Sequence, residues 1–243
     1  MTGNLSGRVA VVTGSSRGIG RAVAVRLAER GAAVVVSYLK NDGPAGEVVE
    51  QIEAGGGKAI AVRADLSVPA NVTHLFDRAE HEFGSIDIVV ANAADAIVKP
   101  LVDCTEGDFD HLFAANVKSV FFTLKEAALR MRDGGRIVVT STGGTKMFFT
   151  ETSLYLGSKG AIEQFVRVLS RELGPRGITV NALSPGFTDT DLLPARDREV
   201  AADMSPFGRI GTPGDIADVA AFLASPDARW ITGQNIGAGG GVF

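Results

Sequence analysis

Tyr155 and Lys159 stand four residues apart in a stretch, Ser153 to Leu173, whose apolar pattern reads as a helix. On a helix that spacing puts both side chains on one face. A phenol titrates near pH ~10 and is a poor proton carrier at neutral pH. A neighbouring ammonium stabilises the phenolate and is expected to draw its pKa toward the working range, as general acid–base catalysis requires. Tyr–Lys pairs also occur on solvated helix faces, so the spacing alone leaves both readings open.

A second run, Thr13-Gly14-Ser15-Ser16-Arg17-Gly18-Ile19-Gly20, joins an apolar strand candidate to a helical pattern. Glycines there let the backbone turn sharply and approach a pyrophosphate, and the helix start offers free N–H groups. Gly14, Ser16, Arg17, Gly18, Ile19 and Gly20 are therefore candidate dinucleotide contacts. The spacing Gly-x-x-x-Gly-x-Gly departs from the commoner fingerprint, and its place between strand and helix carries the reading. The next strand ends at Ser37-Tyr38-Leu39-Lys40 rather than in the Asp or Glu of an NAD site. A carboxylate would repel a 2′-phosphate, whereas Ser37, Arg17 and Lys40 would attract it, so NADP(H) is expected over NAD(H). Asp42 is expected to face solvent.

Those residues need strand ends and helix starts to hold them. Strand candidates fall at Val9 to Thr13, Ala33 to Ser37, Ala59 to Val62, Ile86 to Ala91, Arg136 to Ser141 and Thr179 to Leu183, with a short one at Asn235 to Gly237. Between them lie helix candidates Gly18 to Arg30, Pro44 to Ala54, Pro69 to Phe83, Phe109 to Met131, Ser153 to Leu173 and Pro213 to Leu223. Several strands are apolar without alternation, as strands covered on both faces are. Strict rotation predicts one α/β domain over residues 1–243: a parallel sheet with helices on both faces. Residues 188–209 break the rhythm, and their place after the sixth strand predicts a substrate lid, a simple surface excursion being the alternative.

Four features in this order resemble the short-chain dehydrogenase/reductase family: Thr13 to Gly20, Asn92-Ala93-Ala94, Tyr155-x-x-x-Lys159, and Pro185-Gly186. The resemblance covers essentially the whole chain and implies a doubly wound, Rossmann-type sheet of about seven strands. It implies that Asp65 and Leu66 meet the adenine and that Asn92 closes the glycine-rich turn. It further implies that Pro185, Gly186, Thr188 and Thr190 meet the nicotinamide carboxamide and diphosphate. The family pattern usually reads Asn-Ala-Gly where this chain has Ala94. By the same resemblance Lys159 holds the nicotinamide ribose, and Asn116 bends its helix and holds a water linking Lys159 to solvent. The family's catalytic serine falls thirteen residues before the tyrosine, at Thr142, with Ser141 beside it. Adjacent strand side chains face opposite ways, so only one can serve. Thr142 is the expected donor, its methyl narrowing the pocket, and Ser141 is the alternative.

The expected activity is NADPH-dependent reduction of a substrate carbonyl to an alcohol. The family includes 3-oxoacyl carrier-protein reductases and polyketide reductases, and a small-molecule or acyl-thioester ketone is the expected substrate. The alternatives are an NAD-dependent dehydrogenase of a sugar, polyol or steroid alcohol, and a non-catalytic nucleotide-binding sensor. Residues 94–98, 143–152 and 187–207 should build the pocket, and Met147, Phe148, Phe149, Leu192 and Leu193 make it apolar.

Among 243 residues, 45% are hydrophobic and 21% charged, enough for a large core. A net charge of −4 gives no general attraction to nucleic acid or anionic membrane. The lone Cys104 excludes an internal disulfide, and the N-terminus lacks a signal-peptide pattern, so a cytoplasmic protein is expected. His74, His81 and His111 are too scattered for a metal site, and none is expected. Asp189 and Asp191 read as solvated loop carboxylates, with substrate contact as the alternative, and Arg130, Arg132 and Arg136 read equally as a solvated helix end or as a dock for an acidic carrier protein. The resemblance also implies a homotetramer through the two long helices.

Overall fold

Uninterrupted β-branched runs form strands that helices cover on both sides. In the computed structural model, which describes residues 4–147 and 149–243, Val9–Val12 (β1), Ile88–Ala91 (β4) and Thr179–Pro185 (β6) are buried at every position. With Ala33–Tyr38 (β2), Lys58–Arg63 (β3), Arg136–Thr140 (β5) and Asn235–Ala238 (β7) they form one sheet, ordered β3-β2-β1-β4-β5-β6-β7. Every pairing is parallel. The order reverses between β1 and β4, and a crevice at the strand C-termini opens there.

Successive residues of a strand feed opposite cores. Ala10 and Val12 pack with helices Gly18–Glu29 (α1), Asp42–Ala54 (α2) and Pro213–Leu223 (α8). Val9 and Val11 pack with Pro69–Phe83 (α3), Ser119–Arg130 (α5) and Ser153–Glu172 (α6). Phe76, wholly buried in the second layer, is the largest of the fully enclosed side chains.

The helix expected over Phe109 to Met131 starts earlier and is interrupted. Thr105 caps helix Glu106–Phe113 (α4) through a reciprocal capping box with Asp108, and a π turn, Ala114–Lys118, joins it to α5. The segment after β6 is not structureless: it holds a 3₁₀ turn, Ala195–Asp197, and a short helix, Arg198–Asp203 (α7). Among the described residues no helix is long and apolar enough to cross a membrane.

Candidate active site

At the end of β1 the chain turns on Gly14, whose φ is +60°; a Cβ there would lie 2.8 Å from the Ala93 Cα. A Cβ on Gly20 would overlap the Gly14 carbonyl oxygen and come 2.6 Å from Asn92 Nδ2. Asn92 occupies that space because its amide donates to the carbonyls of Thr13 and Gly14, each at 3.2 Å. The Thr13 hydroxyl accepts from the backbone N–H of Asn92 and Ala93 at 2.9 and 3.0 Å. Ser15 Oγ donates to the Val12 carbonyl at 2.7 Å and accepts from Ser37 N at 3.0 Å. The turn is thus locked to β2 and β4. Helix α1 begins there with no side-chain cap and no acidic residue in its first turn, which leaves its amides for an anion. This cradle fits a dinucleotide diphosphate. Ser16, Gly18 and Ile19 are half-buried along it. Thr190 crosses over it, its methyl 3.5 Å from where a Gly18 Cβ would stand.

One phosphate contact expected from the sequence is not supported. The Ser37 side chain points into the protein, 1% exposed, and its hydroxyl is sealed from solvent with no hydrogen-bond partner. Alternation explains this: Ser37 follows Val35 onto the inner face, and the exposed residues beyond are Leu39, Lys40 and Asn41. Lys40 and Arg63 line a cleft of about 430 Å³ with Leu39, Asp65 and Asn71. Arg63, whose Nε donates to the Leu39 carbonyl at 3.2 Å, was missed in the sequence, although it closes β3 in register with Tyr38. Two cations in that cleft suit a 2′-phosphate. Asp65 spends one oxygen on Ser67, accepting from its N and Oγ at 3.0 and 2.7 Å, and Leu66 is buried in the core. Arg17 is exposed and pairs at 3.2 Å with Asp191, while Asp189 pairs with Arg198 at 2.5 Å, so neither aspartate is merely solvated.

The β6 exit forms the facing wall. Gly186 N donates to the Ala238 carbonyl at 3.1 Å after Pro185 pairs with Ala238. Thr188, buried, donates to the Gly186 carbonyl at 3.0 Å and bridges to Gly211.

Two hydroxyl-bearing residues, Ser141 and Thr142, directly follow β5, and the structure separates them. Ser141 Oγ donates to Glu163 at 2.6 Å, away from Tyr155. Thr142 faces the Tyr155 phenol, and its hydroxyl also accepts from Gly144 N at 3.2 Å. Lys159, 2% exposed, donates to the Thr140 carbonyl at 2.9 Å, with its Nζ 5.9 Å from the Tyr155 ring centre. Burial lowers its pKa to about 8, opposed by the Glu163 charge. The expected downward pull on the phenol does not appear: burial raises the Tyr155 pKa, and only the Thr142 hydroxyl opposes it. Desolvation of the phenolate outweighs an ammonium already bound to a carbonyl.

Asn116 sits in the π turn, fully buried. Its oxygen accepts from Asp95 N at 2.8 Å, and its amide donates to the Asp95 carbonyl and to Ser158 Oγ at 2.9 and 3.0 Å. The side chain therefore ties the β4 exit and the bent helix to α6 and makes no hydrogen bond to Lys159. Phe149 and Phe187 meet edge to face at 5.8 Å between centroids. Phe148 lies outside the described residues. The Phe243 ring, also missed in the sequence, fills a slot left by Gly143, Gly237 and Gly239 beside Thr142. Arg130 is engaged by Asp77, Glu80 and Glu126. No group of three or more potential metal ligands occurs among the described residues.

A family model described as Enoyl-(Acyl carrier protein) reductase matches residues 14–243. Versicolorin reductase 1 of Aspergillus parasiticus is 43% identical over 98% of this chain and 97% of its own length. The hydroxynaphthalene reductase-like protein Arp2 of Metarhizium brunneum is 41% identical over 98% and 96%. The crystal structure of the angucycline C-6 ketoreductase LanV with bound NADP superposes with a TM-score of 0.95 at 44% identity, over 100% of this chain and 98% of that one.

Proposed function

This chain belongs to the short-chain dehydrogenase/reductase family, and we propose that it uses NADPH to reduce a ketone on a fused-ring, polyketide-like substrate. The observation that carries the reading is the placement of Thr142, Tyr155 and the buried Lys159 beside an uncapped glycine turn. When bound, NADPH supplies the hydride. Gly14, Ser16, Gly18, Ile19, Gly20 and Thr190 would hold its diphosphate, and Lys40 and Arg63, with Arg17, would hold the 2′-phosphate. Asp65, Asn92, Pro185, Gly186 and Thr188 complete the cofactor wall.

The protein's part in the chemistry is proton and charge handling. Tyr155, whose raised pKa keeps it protonated, gives its proton to the substrate oxygen as charge develops there. Thr142 donates a hydrogen bond to the same oxygen, an interaction whose loss typically costs about 10²–10³ in kcat. Lys159 stabilises the phenolate left behind. Asn116 keeps the helix bend that sets these groups. Phe149 and Phe187 offer edge and face to a flat ring, which favours a fused aromatic ketone over an acyl-thioester chain. The names of the reductases above point the same way.

Residues 188–209 act as the lid over this pocket. Exposed Phe121 and Leu129 on α5 and Val168 on α6 suit a homotetramer, which light scattering at micromolar concentration tests. A demand for NADPH and a single unpaired cysteine suit a cytoplasmic setting. NADPH consumption with a panel of fused-ring ketones, 3-oxoacyl thioesters and sugars tests the activity; turnover confined to sugars or to NADH contradicts it.

A further inference from the structure

We propose that Glu163 is a positioning residue, drawing the Ser141 and Thr145 hydroxyls onto α6 so that the turn after β5 presents Thr142 alone to Tyr155. The inference rests on reading Thr142 as the hydroxyl that meets the substrate oxygen. Three hydroxyls crowd that turn, and only that of Thr142 meets the phenol. An ionised carboxylate accepts hydrogen bonds only, so it forces its partners to be donors and fixes their rotors. Glu163 Oε1 takes Ser141 Oγ at 2.6 Å and Thr145 Oγ1 at 2.8 Å. Thr145 Oγ1 also lies 3.0 Å from the Thr142 carbonyl, sharing its one proton between the two oxygens. Thr142 is thus bracketed, one anchor at the preceding residue and one three residues on.

The position of Glu163 matches that task. It lies one helical turn beyond Lys159 and two beyond Tyr155, so the three share one face of α6. The face that carries the phenol and the ammonium therefore also fixes the loop opposite them. Its charge also opposes the burial that lowers the Lys159 pKa. Ser141 is 4% exposed, and its bond to Glu163 explains physically why it is withheld from the site.

A double-mutant cycle tests this, with kcat measured for NADPH and β-tetralone, a fused bicyclic ketone, and NADPH affinity and Tm alongside. Glu163→Ala should lower kcat roughly tenfold to a hundredfold, the scale of a misplaced catalytic group, with NADPH affinity unchanged. Glu163→Gln, which keeps an oxygen acceptor, should recover most of the rate and serves if the alanine variant does not fold. In a Thr142→Ala background Glu163→Ala should change kcat by less than about twofold, since the group it positions is gone. The inference is overturned if Glu163→Ala matches wild type, if glutamine fails to rescue, or if the full loss persists without Thr142. If instead Thr142→Ala itself keeps wild-type kcat, the reading of Thr142 fails first.

Discussion

Raising the pH should disable Lys159 while Tyr155 still holds its proton. Burial lowers the Lys159 pKa to about 8 against the opposing charge of Glu163, and burial moves the Tyr155 phenol the other way. Lys159 is then about 0.9 charged at pH 7 and about 0.1 at pH 9. If the ammonium is needed to stabilise the developing phenolate, kcat/KM for NADPH should fall about tenfold across that range. That parameter reports groups of the free enzyme, the state described by the structure. The assay is loss of NADPH absorbance with excess β-tetralone from pH 6 to pH 10, in wild type and in Lys159→Met. The variant, neutral at every pH, should be slow and should lack the limb. A wild-type profile flat to pH 10, or the same limb in Lys159→Met, would refute the reasoning.

Thr142→Ala should lower kcat by about 10²–10³, whereas Ser141→Ala, losing only the bond to Glu163, should cost far less; the reverse order in steady-state kinetics contradicts the assignment. Replacing both Lys40 and Arg63 by alanine should raise Kd for NADPH at least about tenfold while leaving NADH nearly unchanged, since each charged contact is worth about 1.5–3 kcal/mol; calorimetry that finds equal losses for both removes them from the 2′-phosphate. Gly143→Ala should lower Tm and kcat together, because its Cβ would overlap the Phe243 ring, and Phe243→Ala should restore part of the Tm. An additive fall in Tm in the double variant contradicts that packing.

The fold was legible because both-face burial leaves unbroken β-branched runs, and two of the six helix candidates, Pro69–Phe83 and Pro213–Leu223, match to the residue. Both open on proline, which fits a first helical turn and marks its start. The π turn around Asn116 was not legible in periodicity, since one extra residue barely disturbs an apolar stripe; only the family resemblance placed a bend there. The glycine turn, Tyr155 and Lys159 stand where their spacing put them, because local geometry fixes such motifs. What failed depended on tertiary surroundings. Ser37 looked like a strand-end ligand but turns inward, the Tyr155 pKa is governed by burial rather than by the nearest charge, and Arg63 and Phe243 reach the site from distant strands or turns. The partner of Ser141 is Glu163, twenty-two residues downstream, which no local pattern points to.

The central claim is carbonyl reduction by NADPH with Tyr155 as the proton donor. The most direct measurement is product analysis by NMR after NADPH turnover of a fused-ring enone, which offers both a C=O and a C=C bond, in wild type and in Tyr155→Phe. Wild type should give the allylic alcohol, and Tyr155→Phe should give no turnover with NADPH binding retained. A saturated ketone as product, or undiminished alcohol formation by Tyr155→Phe, would contradict it.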